Sequence, residues 1–230
     1  ARHRTALCDL VVAECVEGQG RFMDDIVDGV WALCEESFWG KPFTLSTQKA
    51  GYDLPDTSEP IVALFVAEAA SLLAWTCYLL RPQIEGYSRL ILPRVDREMQ
   101  RRMLVPCLER NDFWWMGFCS GDGVSQPRLN NWNPLINSGW LTAALLMEGD
   151  PERRLAAVHK SIRSLDRFID PYPRDGGCDE GPGYWSAAGA RLFECLEALH
   201  SATNGEIDVY DDPLIRNIGK YITQVQIDDR

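Results

Sequence analysis

The fold is decided by residues 61–80, which read IVALFVAEAASLLAWTCYLL. The segment is apolar nearly all round, and Glu68, Ser71 and Thr76 are its main interruptions. A helix of this kind must be buried, either inside a large helical domain or in a membrane, whose thickness its length would just span. Because a span would place Glu68 in lipid and no basic cluster precedes the segment, we expect a buried core helix and no membrane span.

Apolar and amphipathic helices alternate along the chain, and this order predicts the architecture. Residues 87–108 carry Leu, Ile, Val and Met at helical spacing, and arginines interleaved with acids lie between them. Two further apolar helices, at 134–148 and 182–200, precede amphipathic helices at 151–169 and 213–226. No convincing strand pattern is present. We therefore predict an all-α protein, built as an incomplete (α/α) toroid of antiparallel inner and outer helix pairs.

Length, charge and cysteine usage limit the classes of protein. The 230 residues suffice for one sizeable core, and we predict a single domain over 1–230, which begins with helices at 5–17 and 21–36. The net charge of −11 argues against a nucleic-acid partner. The eight cysteines include no CxxC pair and no histidine has zinc-ligand spacing, so we predict mostly reduced core cysteines and no metal site.

Three long irregular segments, 37–57, 111–133 and 170–181, lead into the apolar helices. If successive helices are antiparallel, all three segments lie at the same end of the domain. They hold most of the non-helical aromatic residues, and long ordered loops on a rigid scaffold are usually functional. Aromatic faces there suit the rings of sugars. The alternative is that the tryptophans only anchor the loops to the helices.

The stretch at 175–185, which reads DGGCDEGPGYW, must bend tightly because of its four glycines. Pro182 suits the first turn of the helix predicted at 182–200. Tyr184 would then feel the positive end of the helix dipole, which favours a phenolate, so we identify it as a candidate for proton transfer. The alternative is a boundary tyrosine with a buried ring and a hydrated hydroxyl. Cys178 is flanked by acids that raise a thiol pKa, which argues against a nucleophilic role.

The motifs of these segments resemble a known family. Three stretches are involved: NNWNP at 130–134, DFWWMG at 112–117, and DGG followed by EGPGYW within 175–185. In this order they are similar to the toroid domain of the heparinase II/III-like polysaccharide lyases. The resemblance implies β-elimination on a uronate-containing polysaccharide, without a cofactor, by a periplasmic or secreted protein (or, as the alternative, a cytoplasmic one).

The resemblance also implies roles for individual residues. Asn131 would hold the uronate carboxylate, and Tyr184 would be the base or the acid at the cleaved bond. Glu180 would either support these two residues from behind or contact the substrate in a subsite. We expect the remaining contacts with an acidic polysaccharide or oligosaccharide to come from local positive charge and from aromatic faces: Arg128, Trp39, Trp115 and Trp132.

Departures from the family pattern leave other functions open. Trp132 stands where some relatives have a histidine, and the C-terminal β-sandwich domain that contributes a further histidine is absent. We therefore expect the chain to be a fragment that lacks this partner domain and is inactive when isolated. One alternative is a glycoside hydrolase that takes its acid and base from Asp122, Asp179 or Glu180. Another is a non-catalytic carbohydrate-binding module.

Overall fold

The computed structural model describes residues 2–118 and 128–225, and within them every regular element is helical. The all-α prediction is confirmed for this part of the chain. The ten α-helices are α1 (Arg2–Glu17), α2 (Met23–Glu35), α3 (Leu64–Leu79), α4 (Arg81–Tyr87), α5 (Ile91–Met99), α6 (Val105–Glu109), α7 (Trp132–Met147), α8 (Pro151–Ile169), α9 (Gly189–Ala202) and α10 (Pro213–Gln224). Short 3₁₀ turns at Pro42–Thr47, Trp114–Met116 and Pro182–Tyr184 interrupt the connecting segments.

Helices α3 and α7 form the centre of the molecule. Both are largely buried, and small residues allow their backbones to approach closely. A Cβ atom placed on Gly139 would lie only 2.5 Å from the carbonyl oxygen of Ala67. The prediction that the apolar segment at 61–80 is a core helix is therefore confirmed, although its exposed stripe includes Trp75 and Tyr78.

No single helix in the described ranges combines the length and the hydropathy of a membrane crossing. Only α3 and α4 taken together reach those values, and the chain bends by 84° between them.

The helices pack in two rows. In the first row, α1 contacts α3, α3 contacts α7, and α7 contacts α9. In the second row, α2 contacts α5, the chain continues from α5 into α6, and α6 contacts α8. Each member of the first row also contacts the next helix in the chain, so that α1 pairs with α2, α3 with α4, α7 with α8, and α9 with α10. Asn133 in α7 is hydrogen-bonded to Ser164 in α8. Asn137, one turn later in α7, is hydrogen-bonded to Ser164 and also to Ser161, which lies one turn earlier in α8. The two helices are therefore antiparallel.

Several helix boundaries match the sequence and others do not. Asp150 and Asp212 cap α8 and α10 through bonds to main-chain N–H groups, and proline follows each cap, as the sequence predicts. Helix α4 lies where a connection was expected. The helix predicted at 87–108 is α5 and α6 joined by a π-helical segment, Gln100–Leu104, next to Pro106, whose missing N–H disrupts regular bonding.

The helix predicted to begin at Pro182 begins instead at Gly189. The indole of Trp185 occupies the space in front of this glycine, where a Cβ would lie 2.5 Å from its Nε1 atom. That Nε1 atom donates to the carbonyl of Ile218 in α10. Residues 182–188 therefore form turns around the half-buried indole, and a regular helix starts only beyond them. Most of the cysteines in the described ranges are reduced core residues, as expected, and only Cys8 and Cys15 among them are exposed.

Candidate functional site

The segments that precede α3 and α7 lie side by side. The Nε1 atom of Trp115 donates to the carbonyl oxygen of Val62, 2.9 Å away, just before α3. The Asn133 side chain, in the first turn of α7, donates to the carbonyl oxygen of Trp115 at 2.8 Å. Asn133 also bonds Ser164 near the end of α8. These buried contacts fix the position of the α7 N-terminus, where the candidate site begins.

The segment that precedes α9 reaches the same place through Glu180. One carboxylate oxygen of Glu180 accepts from the main-chain N–H of Asn131 at 3.1 Å, and the other accepts from the Asn131 side-chain amide at 3.3 Å. Asn131 is 6% exposed. The three long segments therefore meet at one end of the helices, as the sequence predicts. Asn131 and Glu180 are brought into direct contact.

Arg128 adds positive charge beside this pair. Its Nε atom lies 3.6 Å from a carboxylate oxygen of Asp179, and its guanidinium group lies over the ring of Tyr172, 5.3 Å from the centroid. Burial and the neighbouring Cys178 thiol raise the pKa of the Tyr172 phenol. Burial is also the main cause that raises the pKa of Cys178, with its acidic neighbours adding to the effect. Neither group is therefore available as an anion near neutral pH, which agrees with the prediction that Cys178 is not a nucleophile.

Tyr184 lies four residues after Glu180, in the 3₁₀ turn Pro182–Tyr184. Its side chain is 56% exposed, and no hydrogen bond to its hydroxyl is found among the described residues. The hydroxyl is accessible to a ligand. The helix-dipole argument for this tyrosine was wrong, because the turn has three residues and α9 begins only at Gly189.

The segment that holds Glu180 and Tyr184 is fastened to α10. The Asn217 side chain donates to the carbonyl oxygen of Arg174 at 2.8 Å. Gly176 has a positive φ of 78°, and a Cβ there would lie 2.2 Å from the Asn217 backbone. Only glycine satisfies both conditions. Residues 170–188 are thus held between α7 on one side and α10 on the other.

Two of the tryptophans expected to contact a sugar are core residues. Trp39 and Trp115 are each 1% exposed, and their indole N–H groups donate to the carbonyl oxygens of Leu33 and Val62. Neither presents a face on which a sugar could stack. The cavity beside Trp39 and Arg102 has a volume of about 30 Å³, which suits one or two water molecules and no sugar. For these two residues the alternative of loop anchoring is the one that agrees with the structure.

A different tryptophan is exposed at the site. Trp114, in the short turn beside Trp115, is 40% exposed and lies against the half-buried Trp132, with ring centroids 5.1 Å apart. Trp132 is itself one residue from Asn131. The sequence does not distinguish Trp114 from Trp115. Both lie in an irregular segment, where no helical or strand periodicity shows which residue belongs to the core.

The carboxylates proposed for a hydrolase have other partners or lie elsewhere. Glu180 is bonded to Asn131, and Asp179 is paired with Arg128. Asp122 lies outside the described residues. In the ranges 2–118 and 128–225 no group of three or more His, Cys, Asp or Glu side chains is arranged to hold a metal ion, and the expected lack of a cofactor stays a prediction.

Comparison with known proteins does not identify the chain. No protein-family model matches it. A search of curated proteins found no match either.

Proposed function

We propose that the chain is a polysaccharide lyase domain that cleaves a uronate-containing polysaccharide by β-elimination. The observation that supports this most is the contact between Asn131 and Glu180, which joins the NNWNP stretch at 130–134 to the EGPGYW stretch at 180–185. These are the two stretches on which the resemblance to the lyases depends. Tyr184, with an accessible hydroxyl, follows on the same short segment.

Each residue would then have a specific task. One N–H of the Asn131 amide donates to Glu180, and the second is left for a substrate carboxylate. A hydrogen bond there withdraws charge from the carboxylate and makes the adjacent C5 proton more acidic. Tyr184 would remove this proton, the electron pair would form the C4–C5 double bond, and the C4–O bond would break. The departing oxygen would take a proton from the same phenol or from water.

The local charges and rings suit an acidic sugar chain. Arg128 supplies a cation at the α7 N-terminus, where backbone N–H groups also favour an anion. The side chains of Arg128 and Asp179 are 31% and 40% exposed, so a substrate carboxylate could compete with Asp179 for Arg128. Trp114 and Trp132 would provide the stacking surface in place of the buried Trp39 and Trp115.

The toroid belongs to the same proposal. We take the row α1, α3, α7 and α9 as the inner helices and the other row as the outer layer, with the curvature of the two rows closing part of a ring. The loops described above would then form one rim of that ring, where a polymer can pass. Small-angle scattering of the chain, compared with the profiles of curved and flat arrangements of the same helices, tests this element separately.

A carbohydrate-binding module is the second candidate, because the exposed Trp114 can bind a sugar without any chemistry. The two functions are separated by Tyr184→Phe, with Tyr78→Phe as a matched change at an exposed tyrosine near the C-terminal end of α3, away from the loops. The assay uses the intact protein, because the chain alone is expected to be inactive. On a panel of polyuronates, a lyase forms an unsaturated product that absorbs in the ultraviolet, and only Tyr184→Phe abolishes it. A binding module retains oligosaccharide affinity in both variants and forms no such product. An intact protein that neither binds nor cleaves any polyuronate contradicts both functions.

A further inference from the structure

The first long segment, 37–57, supplies no residue to the site described above, although it lies at the same end of the helices. Arg4 in α1 holds it there. Its guanidinium group donates to the carbonyl oxygen of Trp39 at 2.8 Å, and to that of Phe65, in the first turn of α3, at 2.7 Å. The second long segment is bonded to the residues just before α3. The two segments therefore adjoin at the start of α3.

Hydrogen bonds hold the first segment in one shape. Gln48 is buried, and its side chain makes three hydrogen bonds to the main chain between residues 51 and 56. In the 3₁₀ turn Pro42–Thr47, the main-chain N–H and the hydroxyl of Thr44 both donate to the carbonyl oxygen of Lys41. Side chains on this segment are therefore carried by a fixed backbone.

The turn presents Phe43 to solvent. Its side chain is 52% exposed, whereas those of the next two residues, Thr44 and Leu45, are buried. The ring of Phe43 meets that of Phe65 edge to face, with centroids 6.0 Å apart and an interplanar angle of 83°. Such a contact covers at most one face of the Phe43 ring, which leaves a face open to a ligand. A large apolar side chain exposed on an ordered loop is typical of a binding surface.

The charged groups beside the two rings balance one another. The Lys41 Nζ atom lies 3.7 Å from the centroid of the Phe65 ring, and Arg4 is paired with Glu36. Glu68 is exposed and follows Phe65 by three residues, so it lies on the same side of α3. Charge therefore does not select the ligand here. The open ring face is the feature that does, and such faces suit sugar rings.

We propose that Phe43 is the stacking surface of a second sugar-binding subsite, which takes a ring of the polysaccharide several units from the cleaved bond. The inference rests on the proposed lyase function. Helices α3 and α7 are neighbours, and the axes of packed helices lie about 8–10 Å apart. A sugar chain that stacks on Trp132 at the start of α7 reaches Phe43 only by extending over one further helix. Full affinity would then require a long substrate.

The test uses the intact protein, with a trisaccharide and a decasaccharide of the polyuronate that it binds best. Calorimetric titration gives both affinities. We expect Phe43→Ala to weaken the decasaccharide about fivefold and the trisaccharide less than about twofold, because only the longer chain reaches the ring. Phe43→Tyr keeps a ring face and should retain both affinities. Tyr78→Ala, at an exposed aromatic residue near the other end of α3, is the control and should change neither.

Salt separates a stacked ring from an ionic contact. Because the neighbouring charges balance, the loss caused by Phe43→Ala should be the same at low and at high salt. A loss that disappears at high salt would indicate an anion held by Lys41, and would overturn the subsite. Circular dichroism and thermal melting confirm that each variant is folded before its affinity is compared.

The remaining outcomes distinguish this subsite from the lyase function itself. If Phe43→Ala leaves the decasaccharide unaffected, or weakens the trisaccharide equally, the subsite is overturned and the lyase function stands. If the intact protein binds neither oligosaccharide, the lyase function is contradicted and the subsite with it. Light scattering supplies one more contradicting result, a dimer that dissociates in Phe43→Ala, because a second copy would then cover the ring.

Discussion

The carboxylate of Glu180 accepts hydrogen bonds from both the main-chain N–H and the side-chain amide of Asn131, which precedes it by 49 residues. The carboxylate therefore lies at the N-terminus of α7, where the helix dipole favours a negative charge. The contact has two consequences. It ties the glycine-rich segment to a core helix, and it fixes the direction of the Asn131 amide.

Glu180→Gln should destabilise the protein by about 1–2 kcal/mol. Glutamine has one side-chain oxygen, which can accept from one of the two Asn131 donors. Its NH₂ group then faces the second donor, and that hydrogen bond is lost. The free energy of unfolding is measured by urea denaturation. Glu206→Gln, at an exposed position whose side chain makes no hydrogen bond among those described, should change it by less than about 0.5 kcal/mol. Equal stability of the two variants would mean that the Asn131–Glu180 contact does not form in solution.

Trp114→Ala and Trp115→Ala should separate ligand binding from stability. Trp115 is fully buried and bonded to Val62, so its truncation should cost about 3–5 kcal/mol of unfolding free energy. Trp114 is 40% exposed, so its truncation should cost about 1 kcal/mol or less but weaken binding of an acidic oligosaccharide. Chemical denaturation and calorimetric titration measure the two quantities. A large loss of stability in Trp114→Ala would contradict the assignment of surface and core.

The sequence is sufficient to predict the helical class and most of the helices because the signals are periodic. The apolar residues of α8 repeat at helical spacing, and Asp150 with Pro151 marks its start, so its bounds are predicted to the residue. The meeting of the long segments could also be predicted, since it follows from the order of helix types. These properties depend on residues close together in the chain.

Features that depend on distant contacts could not be predicted. Nothing local indicates that Trp115 would find the carbonyl of Val62 while its neighbour Trp114 stays exposed. The late start of α9 depends on the insertion of Trp185 between Gly189 and α10, and Ile218 is 33 residues further on. Nothing local indicates either that Glu180 would accept hydrogen bonds from Asn131, 49 residues earlier in the chain. In each case tertiary packing overrides a local pattern.

Gly176→Ala should destabilise the protein by about 3 kcal/mol or more, because it combines an unfavourable positive φ with a clash against the backbone of α10. Gly183→Ala, in the same segment, has no neighbour within 4 Å and no positive φ, and should change stability by less than about 1 kcal/mol. Urea denaturation measures both. If the two variants were equally stable, the segment at 170–188 would not be fastened to Asn217 as described.

Alkaline pH should weaken the fold through the buried thiol of Cys77 in α3. Burial raises the pKa of this thiol from an ordinary value of 9.0 to about 12. Between these values the unfolded chain releases the proton and the native chain retains it, so the free energy of unfolding falls as pH rises. One such group contributes about 1.4 kcal/mol per pH unit in this window. The contribution is fully present below about pH 9 and is progressively lost above it.

Cys77→Ala removes this contribution, so its unfolding free energy should fall less steeply above about pH 9 than that of the unmodified protein. Urea denaturation at several pH values up to about 10.5 gives both slopes, and the difference should approach 1.4 kcal/mol per pH unit. Val66→Ala, a core truncation on the same helix without a thiol, controls for lower stability and should retain the original slope. Identical slopes for Cys77→Ala and the unmodified protein would show that water reaches this thiol in the native state.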